Sequence, residues 1–171
     1  MAVISMSNRC TVIAEEDSII KSYCNPTSFY NEKNILTELQ EESFVPRIIF
    51  IPDNNEMWIR MEKLNGIRLD NWKQKLPKTF VDDMLYIEKA MAMHGIFDRA
   101  DRYKLEHIFM CDEKESPQTH GVRIIDFDVD SIFPKDNSNF VRLRDQHLDY
   151  IESNYEKQIR EEIQRAGLSI S

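Results

Sequence analysis

Two aspartates that follow a β-branched run are the residues of this chain whose types and spacing best suit a chemical role. The segment "GVRIIDFDVD", residues 121–130, reads as a strand that ends on Asp126, Phe127 and Asp128. A carboxylate at the edge of a sheet is a hard oxygen ligand of the kind that Mg²⁺ prefers. Two interpretations fit this pattern: Asp126 binds a metal ion, or it merely terminates the strand.

The remaining histidines, serines and cysteines do not indicate a zinc site, a serine nucleophile or a disulfide framework. Three of the four histidines are scattered without metal-ligand spacing, and no serine stands in a GxSxG setting. Cys10, Cys24 and Cys111 are odd in number and lack CxxC spacing. This favours free thiols in a reducing compartment over a disulfide framework or a zinc site.

Composition and charge restrict the class of protein. The 171 residues suit one domain or two small lobes, and 42% hydrophobic with 30% charged residues is a globular composition. A net charge of -8 disfavours nucleic-acid binding, because that affinity comes largely from Lys and Arg. No apolar run approaches the ~18 residues of a membrane span, and "MAVISMSNRC" lacks the pattern of a signal peptide. We therefore expect a cytoplasmic protein that binds neither nucleic acid nor membrane, although a protein delivered into a host cytosol would have the same pattern.

The first third of the chain reads as two hairpins separated by one helix. "CTVIAE" and "SIIKSY" predict a hairpin across "EDS", and "RIIFIP" and "MWIRMEKL" predict another that turns through "DNNE". Between them, "NPTSFYNEKNILTELQEE" predicts a helix with Asn25 as its N-cap and Pro26 at its first position. This order places Lys21 on a strand and Glu32 on the following helix.

After Gly66 the pattern becomes mainly helical. Phe80, Met84, Ile87 and Met91 recur at helical spacing and predict a helix with one buried stripe. "EHIFMCDE" and "GVRIIDFD" predict a third hairpin around "KESPQTH". From about residue 140 to 167 a long amphipathic helix is predicted, and its apolar stripe is formed by Leu148, Ile151, Tyr155, Ile159 and Ile163. Such a stripe packs more often on its own domain than on a partner.

The order of these elements and several residues within them resemble the protein-kinase-like superfamily. Lys21 in "SIIKSY" stands where kinases carry the phosphate-binding lysine of VAIK, and Glu32 stands where they carry its partner on the helix. "RIIDFD" resembles the DFG segment. The resemblance implies that Asp126 is the ligand of Mg²⁺, or of Mn²⁺, and that Phe127 packs behind it.

The resemblance also implies an α+β fold of two lobes that binds ATP. An antiparallel N-lobe sheet with one helix would span residues 1–64, and a small, mainly helical C-lobe would span residues 65–171. "WIRMEKLNG" resembles the strand and hinge that hold adenine. Met61 would precede the hinge, and Glu62 and Leu64 would offer backbone groups to the nucleotide.

The glycine-rich loop of kinases has no full counterpart here. Aligned on it, "ISMSNRCTVI" puts Ser5, Ser7 and Cys10 at the three glycine places, and none of the four glycines precedes Gly66. Glycines there let backbone amides approach the phosphates closely. We expect a stiffer loop in which Ser7 contacts the nucleotide.

The catalytic loop also departs from the pattern of HRD, four residues and Asn. Counting forward from "HGI" places the HRD aspartate on Ala100, whereas counting back from "HIF", with His107 at the Asn position, places it on Arg102. The first candidate for orienting the acceptor hydroxyl is Asp101, and the second is Asp98. For His107 two roles stay open, a metal ligand or a hydrogen bond that stabilises the loop.

The short C-terminal part resembles truncated, minimal kinase-like proteins of bacteria, including some delivered effectors. Residues 127–171 contain no APE motif, and Asp128 replaces the glycine of DFG. One function class is an ATP- and Mg²⁺-dependent phosphotransferase that acts on a protein or a small molecule. Another is a catalytically impaired pseudokinase that binds nucleotide or a partner protein. A third, an unrelated α+β binding domain, predicts no nucleotide affinity.

Overall fold

The chain begins with a five-stranded antiparallel sheet. The computed structural model describes residues 2–97 and 104–171, so Asp98 and Asp101 lie outside the described residues. The strands are β1 (Ala2–Met6), β2 (Cys10–Ala14), β3 (Ser18–Tyr23), β4 (Ile48–Phe50) and β5 (Trp58–Glu62). Their order across the sheet is β1-β2-β3-β5-β4. Both predicted hairpins are confirmed, and β1 is an additional edge strand.

Lys21 occupies the central strand of this sheet. In β3 it pairs with Val12 of β2 on one side and with Ile59 of β5 on the other. Side chains alternate between the two faces of a strand, so Lys21 and Tyr23 share the face that is buried. Only 6% of Lys21 is exposed, and a buried ammonium group needs an anionic partner.

The helix α1 (Pro26–Glu38) supplies that partner, and its start is confirmed as predicted. The side chain of Asn25 accepts a hydrogen bond from the amide of Ser28 at 2.9 Å, and Pro26 occupies the first turn. The face of α1 that packs against the sheet carries Glu32 among apolar residues such as Leu36. Helical periodicity thus directs one carboxylate toward β3.

The second part of the chain combines one buried helix with a small sheet. The helix α2 (Phe80–Met93) buries its predicted stripe completely. A three-stranded antiparallel sheet is formed by β6 (Gly66–Arg68), β7 (Ile108–Cys111) and β8 (Val122–Ile124). Three short 3₁₀ turns accompany them at Leu69–Asn71, Leu105–His107 and Pro117–Thr119.

The third predicted hairpin, β7–β8, is confirmed, but its second strand is shorter than expected. The strand β8 ends at Ile124 rather than at Asp126. Asp126 has a backbone φ of 69°, in the left-handed region, which an extended strand cannot include. The chain therefore turns at Asp126 and directs the residues after it away from the sheet.

The C-terminal helix is interrupted by a π-helical turn. Its parts are α3 (Phe140–Tyr150), the π-helical turn (Ile151–Tyr155) and α4 (Glu156–Arg165). Apolar residues at a constant spacing of four would drift around an ideal α-helix by ~40° per step, because 3.6 residues complete a turn. The wider π turn compensates for this drift and keeps Ile151, Tyr155, Ile159 and Ile163 buried, and the C-terminal helix contacts α2. Tyr155 within it donates a hydrogen bond to Glu88 of α2 at 3.2 Å.

One apolar core runs from the N-terminal sheet to the C-terminal helices. Within residues 2–97 and 104–171, no helix is both long and apolar enough to cross a membrane.

Candidate functional site

Lys21 lies at the centre of a buried ionic cluster. Its Nζ is 2.5 Å from Glu32 Oε2 and 2.6 Å from Asp126 Oδ1. Only 6% of Lys21 and 2% of Glu32 are exposed to solvent. The fold therefore brings together three of the residues that the sequence singled out, one from β3, one from α1 and one from the segment after β8.

The cluster fixes the charge of the lysine. Burial alone would lower the pKa of Lys21, but the facing carboxylates of Glu32 and Asp126 more than offset this and raise it above its ordinary value. The ammonium group is thus charged at neutral pH. The two carboxylates fix the direction of the ammonium group, and an incoming anion could replace one of them as its partner.

Tyr23 is a member of the cluster that the sequence analysis missed. Its hydroxyl donates a hydrogen bond to Glu32 Oε2 at 2.9 Å, and burial followed by the charge of Glu32 raises its pKa. The sequence could have indicated Tyr23, because it stands two residues after Lys21 and therefore on the same face of the strand. Tyr23 and Lys21 together hold the glutamate in one orientation.

Asp126 has a partner at each of its carboxylate oxygens. Oδ1 faces Lys21, and Oδ2 lies 3.0 Å from Nε2 of His107. The backbone between them is tied as well, because the amide of Ile125 donates to the carbonyl of His107 at 3.0 Å. Burial would raise the pKa of Asp126, but Lys21 lowers it more strongly, so the group is ionised.

Asp128 forms a second acidic position beside Asp126. Its side chain is 3% exposed, and Nη1 of Arg9 lies 3.5 Å from its Oδ1. Nδ2 of Asn31 on α1 donates to the backbone carbonyl of Asp128 at 3.2 Å. Burial and then the charge of Asp126 raise the pKa of Asp128. Phe127 between the two aspartates is fully buried in the core.

Ser7 closes the tight turn between β1 and β2. Its Oγ accepts hydrogen bonds from the amides of Arg9 and Cys10, both at 3.1 Å, and its own amide donates to the carbonyl of Cys10 at 2.9 Å. Three amides of this turn are therefore already satisfied within the turn. The hydroxyl of Ser7 has a structural role that the sequence did not indicate.

The hinge candidates lie at and just after the end of β5. Met61 and Leu64 are buried, and the amide of Glu62 donates to the carbonyl of Arg47 at 2.9 Å. The carboxylate of Glu62 forms a two-pronged ion pair with Arg123, with 2.9 Å at each oxygen. Burial would raise the pKa of Glu62, but the hydrogen bonds from Arg123 lower it. A charged residue inside the apolar strand "VRII" was the sequence signal for this buried pair.

The donors near Asp126 suit a hard divalent cation. Asp126 and Asp128 offer carboxylate oxygens, which Mg²⁺ and Mn²⁺ accept readily. Among residues 2–97 and 104–171, however, no group of three side chains is arranged as a complete metal site. A cation here would need oxygen ligands from water or from a substrate as well, which is the usual situation for Mg²⁺ bound with phosphates.

One cavity among the described residues lies away from this cluster. It has a volume of about 600 Å³ and is lined by α1 and the β4–β5 connection, including Phe29, Tyr30, Lys33 and Met57. None of Lys21, Glu32, Asp126 and Asp128 lines it.

Comparison with known proteins identifies the fold. No protein-family model matches the chain, and no curated protein matches it at a significant level. Among solved structures, the chain is similar to the Rio2 kinase of Chaetomium thermophilum, determined as an ADP/Mg²⁺-phosphoaspartate complex. The TM-score is 0.56 at 16% identity, over 91% of this chain and 55% of that one.

The bifunctional kinase-methyltransferase WbdD is also similar, with a TM-score of 0.52 at 18% identity, over 84% of this chain and 34% of that one. The chain thus spans about half the length of the first protein and a third of the second. At such low identity the likeness concerns the fold and leaves the activity open. The antiparallel sheet with its helix, the small second sheet and the helical C-terminal part form a protein-kinase-like fold.

Proposed function

We propose that this chain is an ATP- and Mg²⁺-dependent phosphotransferase of the protein-kinase-like type. The observation that carries the proposal is the buried ammonium group of Lys21, which contacts both Glu32 at 2.5 Å and Asp126 at 2.6 Å. A charged lysine held this rigidly, beside a carboxylate able to take a divalent cation, is what binding of a nucleotide polyphosphate requires. The likeness in fold to kinase structures supports the same reading.

In this proposal each residue of the cluster has a separate task. Lys21 binds phosphate oxygens of ATP, and Glu32, held by Tyr23, fixes the direction of the lysine stem. Asp126 would hold Mg²⁺ or Mn²⁺, which supplies charge neutralisation for the phosphoryl group in transfer. The contact between His107 and Asp126 at 3.0 Å supports a positioning role for His107, whose imidazole is a poor ligand for Mg²⁺.

The proposal assigns the acceptor side to the segment that precedes His107. Asp101 is the first candidate and Asp98 the second for orienting the acceptor hydroxyl, which requires a separation of ~2.6 to 3.2 Å or one bridging water. The substrate would be a protein or a small molecule.

The adenine site would lie where the two parts of the chain meet. Met61, Glu62 and Leu64 form the proposed hinge, and residues 1–64 and 65–171 form the two proposed lobes. The boundary is supported by the strands on either side, because β5 ends at Glu62 and β6, which begins at Gly66, belongs to the second sheet. Three free cysteines support a reducing, cytoplasmic location, in the producing cell or in a host.

A pseudokinase is the second candidate function, and one observation favours it. The amides of Arg9 and Cys10 are bound to Ser7 Oγ, so they are not presented to phosphates as a glycine-rich loop would present them. In that case the chain would be a module that binds nucleotide or a partner protein without catalysis.

Thermal unfolding with ATP tests the nucleotide site. ATP at ~100 times its Kd stabilises the native state by ~2.7 kcal/mol. In a chain of this size that corresponds to an increase in Tm of roughly 5 to 11 °C. We expect a metal-dependent increase in the wild type and in Asp136→Asn, an exposed control, and its loss in Asp126→Asn. No increase at millimolar ATP with Mg²⁺ or Mn²⁺ would contradict both nucleotide-dependent functions.

Release of ADP then separates the two candidates. A phosphotransferase should form ADP slowly even with water as acceptor, and Asp101→Asn or Asp98→Asn should reduce that rate without removing the thermal shift. A thermal shift without any ADP formation would favour the pseudokinase.

A further inference from the structure

Arg9 combines a fixed backbone in the β1–β2 turn with a side chain that reaches Asp128 beside the Lys21 cluster. Its amide donates to Ser7 Oγ at 3.1 Å, and its carbonyl accepts a hydrogen bond from the amide of Cys24 at 2.7 Å. The turn is thus tied both to itself and to the residue that follows β3. With the backbone held on two sides, the side chain is the adaptable part of this position.

The guanidinium of Arg9 reaches the acidic segment after β8. Nη1 is 3.5 Å from Asp128 Oδ1, at the outer limit for a hydrogen bond. The side chain is 39% exposed, whereas that of Asp128 is 3% exposed. A guanidinium carries five N–H donors, and this is its one hydrogen bond to another side chain within residues 2–97 and 104–171. Among the described residues, most of its donors therefore have no side-chain partner, and the side chain is partly exposed.

The backbone of the same turn offers little to an anion. The amides of Arg9 and Cys10 point to Ser7 Oγ, and the amide of Ser7 points to the carbonyl of Cys10. An anion that approaches Lys21 from the β1–β2 side therefore meets the guanidinium of Arg9 rather than a row of amides. Guanidinium and phosphate match as planar, two-pronged partners.

We infer that Arg9 is a phosphate-binding residue that replaces the amides of a glycine-rich loop, with Asp128 as the group that positions it. Nη1 stays on Asp128, and the remaining donors of the fork bind phosphate oxygens opposite Lys21. The inference rests on the proposed function, because it concerns the polyphosphate of the same nucleotide. It also assigns a task to Asp128, which stands where kinases have the glycine of DFG.

If Arg9 binds phosphate, its contribution to affinity should depend on whether the ligand carries a polyphosphate. Arg9 contributes to binding of ATP and of tripolyphosphate, but not to binding of adenosine. Charged hydrogen bonds of this kind contribute ~1.5 to 3 kcal/mol, which corresponds to roughly 10- to 150-fold in Kd.

Calorimetric titration of Arg9→Gln with three probes tests the inference. The probes are Mg²⁺-ATP, adenosine and Mg²⁺-tripolyphosphate, and Arg142→Gln, at an exposed position of α3, is the matched control. We expect Arg9→Gln to bind Mg²⁺-ATP and Mg²⁺-tripolyphosphate at least 10-fold more weakly than the wild type, with adenosine unchanged. Arg9→Lys should recover part of the lost affinity, since lysine keeps the positive charge but lacks the two-pronged guanidinium group.

The outcomes separate this inference from the proposed function. Equal affinity of the wild type and Arg9→Gln for Mg²⁺-ATP would overturn it, and so would an equal loss for adenosine, which would indicate a disturbed turn. If the wild type binds tripolyphosphate through Arg9 but shows no preference for ATP, the phosphate site stands and the nucleotide function fails. If the wild type binds neither polyphosphate, both fail.

Discussion

Replacing Lys21 by methionine tests whether the ionic cluster is formed as described. Methionine keeps most of the apolar stem but removes the ammonium group shared by Glu32 and Asp126. Glu32, 2% exposed, would then keep only the hydroxyl of Tyr23 as a partner among the contacts described above. Removing one partner of a buried ion pair costs ~3 to 5 kcal/mol.

The lower end of that range applies here. The side chain of Asp126 is 20% exposed and keeps His107 at 3.0 Å, so water and His107 partly compensate Asp126 for the loss of Lys21. We expect Lys21→Met to reduce the free energy of unfolding by about 3 kcal/mol at pH 7. For a chain of this length the corresponding decrease in Tm is roughly 6 to 12 °C.

Urea and thermal unfolding measure this difference, with Lys73→Met as the same substitution at an exposed lysine. The pH dependence adds a second check. Because the folded-state pKa of Asp126 is lowered, its contribution is present above its ordinary pKa of about 3.9 and is lost as the pH falls through the folded value. The difference between the wild type and Lys21→Met should therefore be constant from pH 7 to about pH 5 and shrink below about pH 4.

A double-mutant cycle with Glu32→Gln isolates the pair itself. The double variant should lose less than the sum of the single variants, with a coupling energy of about 1.5 kcal/mol or more. A Lys21→Met variant that unfolds within about 1 °C of the wild type, or strict additivity in the cycle, would refute the buried ion pair.

Two further predictions concern ion pairs outside the cluster. Arg123→Met should reduce the free energy of unfolding by about 3 kcal/mol in urea, since it leaves Glu62 without its two-pronged partner; a loss no larger than that of Arg142→Met would contradict this. The hydrogen bond with Asp83 raises the pKa of His120, so that its charge stabilises the fold below about pH 6.5 and this stabilisation is lost as the pH rises through the raised value. His120→Asn, which tolerates the left-handed φ of 44°, should therefore differ most from the wild type in Tm near pH 5.5, and a difference that stays constant up to pH 9 would exclude this pair.

Local signals in the sequence were sufficient for the helix and the core of the cluster. Asn25 and Pro26 predicted the start of α1 because capping depends on residues next to each other in the chain. Lys21 within an apolar strand and Glu32 on the following helix were identified by their order, and the structure brings both into contact with Asp126.

The features that were missed depend on distant or weak signals. The strand β1 is exposed along its whole length at the sheet edge, so it lacks the alternation that predicts a strand, and β6 has three residues. The left-handed turn at Asp126 follows no local rule stronger than a modest preference of aspartate for that region. Arg9 and Asp128 are 119 positions apart, and no periodicity relates residues at that distance.

The ionic contacts between the N-terminal sheet and the later segments differ in how easily they exchange. Glu62 and Arg123 form a two-pronged pair, and Arg123 also donates to the backbone carbonyl of Val45, so this contact should persist whatever the site binds. Lys21 instead contacts Asp126 through a single carboxylate oxygen, and the other oxygen of Asp126 faces His107. A polyphosphate with its cation could replace the contact between Lys21 and Asp126 without exposing apolar core, while Arg9 stays on Asp128. Binding would then exchange one set of ionic partners for another, and we expect its affinity to fall with increasing ionic strength while the contact between Glu62 and Arg123 is retained.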